Sequence, residues 1–257
     1  MRSAKHRIGI FDSGIGGFSI LRELFKSGLD ASYYYFADQA YAPYGERSDG
    51  EILERSEWII RQLLKEQVEL VVVACNTATA AAIDQLRQLY PDLPLVGVEP
   101  YINIKNQSDW NGPDNVCVIT TPLTGKSSRF KSLKQRLDPQ EEVDHYSCPN
   151  LARLVEEKFN NPTIDITSSL REELLPLMEK GYHGVILGCT HYPLIRQEIE
   201  AITSMVTISP CEGVAARVVQ LVGECDLKVP AASDSTAIFY FRTSLNSDSG
   251  WEGQLAP

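Results

Sequence analysis

The sequence has few positive charges, few histidines and no long apolar run. Its 24 Lys and Arg residues are outnumbered by 34 Asp and Glu residues, and the formal charge is −10 over 257 residues. The basic residues are scattered, so neither nucleic acid nor an anionic membrane surface is expected as a partner. No segment approaches the roughly 20 apolar residues that a membrane-spanning helix needs.

The first residues lack the pattern of a signal peptide. MRSAKHRIGIFDSG is mildly basic, but its apolar stretch is four residues long, shorter than the roughly 7–15 residues of a secretory signal. We therefore expect a cytoplasmic protein. The six cysteines include no Cys-x-x-Cys pair, so metal-site spacing is missing. In a reducing compartment all six are expected to be thiols.

Short apolar segments alternate with segments of helical period, over a length that allows one large domain or two modest ones. Continuous apolar strands that alternate with helices favour an α/β fold with parallel sheets covered on both faces. We expect a late strand within residues 233–250 and a loose end over 251–257. The predicted strands lie within 7–13, 32–38, 68–75, 93–100, 115–121 and 183–189, and the predicted helices within 17–28, 50–66, 82–90, 151–159 and 169–181.

Two stretches repeat one layout, VVVACNTATAAAI at 71–83 and GVILGCTHYPLIRQEI at 184–199. Each has an apolar strand, a cysteine (Cys75 or Cys189), a polar pair that includes threonine, and then a predicted helix. The segment IGIFDSGIGG is similar, with Asp12 at the end of its strand. Ligands of open α/β sheets lie beyond the carboxyl ends of the strands. We infer two similar α/β units that face each other, each offering one cysteine.

Each of these two cysteines is predicted to precede a helix directly, and a helix N-terminus favours the thiolate form of cysteine. The alternative is that a cysteine is simply a small buried hydrophobe. For one cysteine alone the two interpretations are balanced, but the repeated position favours chemistry. The remaining cysteines have no such context and are assigned to packing; they are Cys117, Cys148, Cys211 and Cys225.

Polar groups follow both thiols. Asn76, Thr77 and Thr190 bring side-chain donors, and the first amides of a helix suit a carboxylate. The alternative role of these residues is to cap their helices. His191, two residues after Cys189, could tune the thiolate or move a proton, and the alternative is a structural histidine.

Two further motifs carry weaker signals. FDSGIGG places Asp12 and Ser13 at a strand end, before glycines that let backbone approach a ligand. An ordinary turn between strand and helix is the alternative. APYGERS places Tyr44 and Gly45 in a loop.

Taken together, FDSGIGG, PYG, VVVACNTATA, VGVEP and LGCTHYPL resemble the signatures of glutamate racemases, cofactor-independent members of the aspartate/glutamate racemase superfamily. The resemblance implies two pseudo-symmetric α/β domains with mainly parallel sheets and an active site in the cleft between them. We expect residues 1–98 plus 212–257 to form the domain that carries Cys75, and residues 99–211 to form the domain that carries Cys189.

The resemblance also implies the roles of individual residues. Cys75 removes the α-proton of D-glutamate and Cys189 that of L-glutamate, without a metal or another cofactor. Thr121, Thr124 and Glu156 resemble assisting residues of the family. The residues implied to contact or orient glutamate are Asp12, Ser13, Tyr44, Gly45, Asn76, Thr77, Thr190 and His191. The implied product, D-glutamate, is used for peptidoglycan.

Four alternatives stay open at this point. The chain could racemise aspartate or another amino acid, or hydrolyse a substrate with Cys189, His191 and Asp12. A zinc-binding module could use Cys75, Cys189 and His191, and a binding-only relative would keep the fold without turnover. The family pairs in different ways, so a homodimer is one of the arrangements that the resemblance allows.

Overall fold

The computed structural model describes residues 6–107, 110–225, 237–246 and 250–255. The chain divides into two compact units, Met1–Val98 with Cys211–Pro257, and Glu99–Pro210. Both contain a largely parallel sheet with helices, which confirms the α/β class predicted from the alternation of apolar strands and helices.

The first unit has a six-stranded sheet in the order β10-β9-β2-β1-β3-β4, and all its neighbouring pairs are parallel except β9 with β10. Its strands are β1 (His6–Asp12), β2 (Ala31–Ala37), β3 (Leu70–Val73), β4 (Leu95–Gly97), β9 (Ile238–Thr243) and β10 (Glu252–Leu255). Its helices are α1 (Phe18–Lys26), α2 (Asp49–Lys65), α3 (Asn76–Leu89) and α9 (Cys211–Cys225).

The centre of this sheet is apolar on both faces, because helices cover both. Ile10, Tyr35 and Val72 pack in one cluster with residues of α1 and α9 such as Leu24 and Val218. The helices α2 and α3 pack against each other, and α2 also contacts β1 and β2. Continuous apolar strands are what a doubly covered parallel sheet requires, and this explains why the strands near residues 7–13, 32–38 and 68–75 could be predicted.

The predicted late strand is confirmed as β9, which pairs in parallel with β2. The expectation of a loose end after it was wrong, because residues 252–255 form β10, antiparallel to β9. The ring of Trp251 packs edge-on against Tyr34 at 5.4 Å between centroids. Backbone pairing and this aromatic contact order a segment whose composition alone gives no strand pattern. Residues 233–236, 247–249 and 256–257 of the predicted tail lie outside the described residues.

The second unit has a four-stranded parallel sheet in the order β6-β5-β7-β8. Its core gathers Val118, Phe130 and Ile186 with the 3₁₀ segment Ile102–Asn106. Its strands are β5 (Val116–Thr120), β6 (Asp144–Ser147), β7 (Gly184–Gly188) and β8 (Val206–Ile208). Its helices are α4 (Pro122–Lys126), α5 (Ser128–Leu137), α6 (Leu151–Asn160), α7 (Thr167–Met178) and α8 (Arg196–Thr203).

The segment after Cys189 differs from the prediction. No α-helix follows this cysteine directly: a turn leads into a 3₁₀ helix at Tyr192–Ile195, and α8 begins only at Arg196. Pro193 lies in the 3₁₀ helix, and it has no N–H to donate to a regular helical ladder. Cys75, in contrast, is followed at once by α3, so the repeated layout is accurate at the strand and the thiol but not at the helix.

Across the described ranges, no helix combines the length and the apolar character needed to cross a membrane. Cys117, Cys148 and Cys211 are buried, and none of them forms a disulfide among the described residues; their assignment to packing stays a prediction. Cys225 ends α9, but its side chain lies outside the described part of the structure.

Candidate active site

The first unit brings three of the sequence motifs to one edge of its sheet. Asp12 ends β1 and is in register with Ala37 of β2, while Phe11 is in register with Val73 of β3. Cys75 lies two residues beyond Val73. Since the carboxyl ends of parallel strands meet at the same edge, the Asp12 turn, the segment after β2 and the Cys75 turn are neighbours.

Cys75 is the N-cap residue of α3, with extended backbone angles of φ −136° and ψ 118°. The backbone N–H of Ala78 donates to its Sγ at 3.4 Å, and Sγ lies 3.8 Å from Ser13 Oγ. The side chain is buried, with 4% of the residue exposed. An amide donor and the positive end of a helix of 14 residues both favour negative charge on this sulfur.

The two residues after Cys75 are buried in the first turn of α3. Asn76 donates from Nδ2 to the carbonyl of Val98 at 3.3 Å. Its Oδ1 is buried and has no hydrogen-bond partner among the described residues. A buried polar atom without a partner is costly. At the carboxyl end of a parallel sheet, where ligands bind, such an atom is a candidate ligand contact. Thr77 is also buried at this helix start.

Asp12 is fully buried, and its Oδ2 accepts a hydrogen bond from the backbone N–H of Gly17 at 3.0 Å. The glycine is needed there for space. A Cβ on Gly17 would lie 2.8 Å from Tyr35 Oη and 3.0 Å from Ala74 Cβ. The turn therefore brings backbone close to Asp12 and to the residue before Cys75.

Tyr44 and Gly45 lie in a 3₁₀ turn, Tyr44–Glu46, that follows a cis Ala42–Pro43 bond. The hydroxyl of Tyr44 donates to Asp38 Oδ2 at 2.6 Å. Burial, and then the neighbouring Asp38 carboxylate, raise the pKa of Tyr44 well above its usual value. The ring is therefore a neutral phenol at physiological pH.

The second unit places Cys189 directly after β7, whose last residue Gly188 is in register with Thr120 of β5. Cys189 is 5% exposed, and its Sγ lies 3.7 Å from His191 Nδ1. His191 Nε2 lies 2.8 Å from Glu156 Oε1 on α6. An ionised carboxylate only accepts, so beside ionised Glu156 the Nε2 atom carries the hydrogen, and in the neutral imidazole Nδ1 presents its lone pair to the thiol. The Cys189–His191–Glu156 chain replaces the helix N-terminus that the sequence predicted here.

Three threonines accompany this thiol at the carboxyl end of the sheet. Thr190 is buried, and its Oγ1 has no hydrogen-bond partner within the described ranges. Thr121 follows β5 and caps α4 by accepting from the N–H of Thr124 at 3.4 Å; its hydroxyl donates to Thr124 Oγ1 at 3.0 Å. The unpartnered Thr190 hydroxyl is the counterpart in this unit of Asn76 Oδ1.

Burial disfavours the thiolate form of two other cysteines in this unit. Burial raises the pKa of Cys117 to about 12, and it raises the pKa of Cys148 still further. No three His, Cys, Asp or Glu side chains gather as metal ligands would in the part of the chain that the structure describes.

Sequence reasoning overlooked two residues that contact the site. Asp38, just after β2, accepts a hydrogen bond from the Tyr44 hydroxyl. Arg55 on α2 forms an ion pair with Asp38, with 2.7 Å between Nη2 and Oδ1. Asp38 is the last residue of a predicted strand, where a carboxylate is a usable signal. Arg55 lies within a regular amphipathic helix and gives no signal at all.

Each unit therefore contains a buried cysteine just beyond the carboxyl end of a parallel strand, and the next residue in the chain has a buried polar atom that lacks a hydrogen-bond partner among the described residues. The model of the Asp/Glu/Hydantoin racemase family matches residues 19–218. The chain belongs to this family.

Individual relatives agree with this placement. The glutamate racemase of Aliarcobacter butzleri (strain RM4018) is 38% identical over 225 residues, which cover 85% of this chain and 84% of the relative. A crystal structure of a Bacillus anthracis glutamate racemase isoform has a TM-score of 0.78 and 28% identity, covering 94% of this chain and 89% of that chain. Escherichia coli glutamate racemase, in complex with L-glutamate and the activator UDP-MurNAc-ala, has a TM-score of 0.78 and 28% identity, covering 92% and 88%.

Proposed function

We propose that the protein interconverts L- and D-glutamate without a cofactor, using Cys75 and Cys189 as the two acid/base groups. The observation that carries the proposal is that in each unit a buried thiol is followed by a buried polar atom with no hydrogen-bond partner in the described part of the chain, Asn76 Oδ1 in one and Thr190 Oγ1 in the other. The relatives named glutamate racemase support the choice of substrate.

The chemistry asks for two groups in opposite protonation states. For D-glutamate, Cys75 as thiolate takes the α-proton, the C–H electron pair is delocalised into the α-carboxylate, and the Cys189 thiol returns a proton to the other face of Cα. The reverse reaction starts with Cys189 as thiolate. The N–H of Ala78, which donates to Cys75 Sγ, supports the thiolate on that side.

On the Cys189 side, support comes from His191. When Cys189 is the base, the imidazole oriented by Glu156 accepts the thiol proton at Nδ1 and leaves a thiolate beside an imidazolium. We propose that Asn76, Thr77, Thr190 and the turns at Asp12–Ser13 and Tyr44–Gly45 bind the carboxylates and amino group of glutamate. Donors aimed at the α-carboxylate would stabilise the charge that develops in the transition state.

The direct test is to incubate the pure protein with L-glutamate in heavy water. We expect the circular dichroism of the amino acid to decay to zero, and deuterium to enter the α position of the product. Retention of the L-enantiomer with no deuterium uptake would refute racemisation and would fit a protein that only binds its ligand.

The role of the two thiols is tested by Cys75→Ser and Cys189→Ser, with Cys117→Ala as the matched control of a buried thiol outside the site. Each serine variant should lose racemisation by several orders of magnitude, since a hydroxyl is a far weaker acid than a thiol. The control should retain the activity of the wild type. Activity in Cys75→Ser at the level of the wild type would eliminate the two-base mechanism.

One specific observation favours a second candidate. The Cys189–His191–Glu156 chain has the order of nucleophile, base and orienting carboxylate that a thiol hydrolase uses. Glu156 takes the role that the sequence analysis gave to Asp12. Such an enzyme would not need Cys75. Hydrolysis of amide or ester substrates that survives Cys75→Ser but not Cys189→Ser would favour this function.

Substrate choice and cellular role complete the proposal. Assays with L-aspartate and L-glutamate at equal concentration measure side-chain selectivity, and we expect glutamate to be turned over faster. Activity that persists after chelation, in protein without stoichiometric zinc, would eliminate the zinc-module alternative. We propose that the D-glutamate serves peptidoglycan synthesis in the cytoplasm, so depletion of the protein should be rescued by external D-glutamate.

A further inference from the structure

The guanidinium of Arg55 on α2 lies between two aromatic rings. Its guanidinium carbon is 3.7 Å from the ring centroid of Tyr41 and 4.5 Å from that of Trp58. Its side chain is 16% exposed. Two aromatic faces hold the guanidinium by cation–π attraction and shield it from water, so the direction of the group is fixed.

The guanidinium is directed at a fully buried carboxylate. Arg55 Nε donates to Asp38 Oδ2 at 3.1 Å and Nη2 donates to Oδ1 at 2.7 Å. This is the two-point geometry that arginine forms with carboxylates and that lysine cannot reproduce. The backbone N–H of Asp38 donates to the carbonyl of Asp12 at 2.9 Å, which ties the residue to the end of β1.

The fixed Asp38 carboxylate in turn positions Tyr44. Its Oδ2 accepts the Tyr44 hydroxyl at 2.6 Å, and the turn that begins at Tyr44 packs against α3, whose N-cap is Cys75. Tyr44 is near enough to Cys75 for a thiolate there to help raise its pKa, after the larger effects of burial and Asp38. A continuous line of contacts therefore runs from the surface of α2 to the surroundings of Cys75.

We propose that Arg55 is a positioning residue for the Cys75 side of the reaction: it fixes the Asp38 carboxylate, which in turn holds Tyr44 and its turn in place beside Cys75. The proposal rests on the proposed function. Without the guanidinium, Asp38 would be a buried carboxylate without its counter-ion. The carboxylate would then lose the two donors that fix its orientation, and the acceptor of the Tyr44 hydroxyl would no longer be held in place.

The experiment compares Arg55→Gln and Arg55→Lys with a matched control, Arg61→Gln. Arg61 lies on the same helix and pairs with Glu57 at the exposed surface. Misplacement of reacting groups by about 1 Å can cost on the order of 100-fold in rate. We therefore expect kcat/KM to fall by roughly 10–100-fold in Arg55→Gln, less in Arg55→Lys, and not at all in the control.

The decisive readout is the α-deuterium isotope effect, measured with each enantiomer. The two enantiomers are equal in free energy, so kcat/KM falls equally in both directions and cannot locate the damage. If only the Cys75 side is impaired, abstraction by Cys75 becomes more rate-limiting. The isotope effect on kcat/KM should then rise with D-glutamate and fall with L-glutamate relative to the wild type. A general structural defect would leave the two isotope effects in their original ratio.

Tyr44→Phe keeps the test decisive if Arg55→Gln does not fold. It leaves the ion pair intact and removes only the hydroxyl that reaches Asp38, so it should produce the same asymmetry to a smaller extent. Loss of that asymmetry in all folded variants, or activity of Arg55→Gln equal to that of Arg61→Gln, would overturn the positioning role while the racemase function stands. A wild-type protein that does not racemise glutamate would overturn both.

Discussion

Gly17→Ala should be among the most damaging small substitutions in the first unit. Gly17 has φ −62° and ψ −13°, angles that alanine adopts without strain. The cost is therefore purely one of space. An added Cβ would lie 2.8 Å from Tyr35 Oη, 2.9 Å from Tyr35 Cε2 and 3.0 Å from Ala74 Cβ, and such approaches require the neighbours to shift.

The Tyr35 ring is not free to shift. Its hydroxyl donates to the carbonyl of Gly14 at 2.9 Å, and the ring packs against Phe18 at 4.6 Å and Phe241 at 6.1 Å between centroids. Overpacking of this kind costs about 1–3 kcal/mol. Displacement of Gly17 also weakens the bond from its N–H to the buried Asp12 carboxylate, which contributes about 1.5–3 kcal/mol.

Together these effects predict a loss of about 2–5 kcal/mol in the free energy of unfolding, and a decrease in Tm of roughly 5–20 °C. Differential scanning calorimetry measures this directly. Gly50→Ala is the matched control: it lies in the first turn of α2 with nothing within 4 Å of an added Cβ. It should be neutral or slightly stabilising, since alanine is the better helix former. A Tm for Gly17→Ala equal to that of the wild type would refute the reasoning.

Thr190→Val should leave Tm unchanged or raised, because it removes a buried hydroxyl without a described partner, yet raise KM for glutamate about tenfold; unchanged kinetics would contradict the binding role. Glu156→Gln should lower kcat/KM by roughly 10–100-fold, because the amide supports a cationic His191 less well, and should shift the pH–rate profile; an unaltered profile would show that the carboxylate is dispensable. Asp138→Asn should destabilise the protein near neutral pH. Although burial disfavours its charged form, the bonds from Lys134 and two backbone amides lower the pKa of Asp138 below 3.8. A lowered pKa stabilises the folded state above that value, so urea titrations of variant and wild type should converge as the pH falls below 3.8; a constant difference would exclude ionisation as the cause.

The parts of the fold that could be predicted are those where local pattern and burial agree. β3 and β7 are uninterrupted apolar runs because both faces of each sheet are covered. The edge strand β6 has no such pattern: it reads DHYS, with its residues exposed or half-buried, and it pairs only with β5. Helix α9 was overlooked although Val214, Val218 and Val222 recur every four residues, a usable signal of helical period.

The site shows the same division. The strand–cysteine layout gave the positions of Cys75 and Cys189, because both the apolar strand and the thiol are local features. The partner of His191 is not local: Glu156 lies 35 positions away on α6, and only the family resemblance suggested it. Arg55 contacts Asp38 from helix α2, where a polar residue at this position is expected of any amphipathic helix. The contact depends on how α2 packs, and the helical period of the sequence does not predict it.

The interrupted course of the first unit has a consequence for biosynthesis. Residues Glu99–Pro210 leave the ribosome as one continuous stretch that can close its sheet during translation. In contrast, β2 keeps an unpaired edge until β9 has been made. The N–H of Ser244 then donates to the carbonyl of Ala37 at 3.0 Å, and its Oγ accepts from the N–H of Ala40 at 2.9 Å. The turn that contains Asp38 therefore forms these contacts only late in synthesis. A nascent chain stalled before residue 238 should bind chaperones through the unpaired edge of β2.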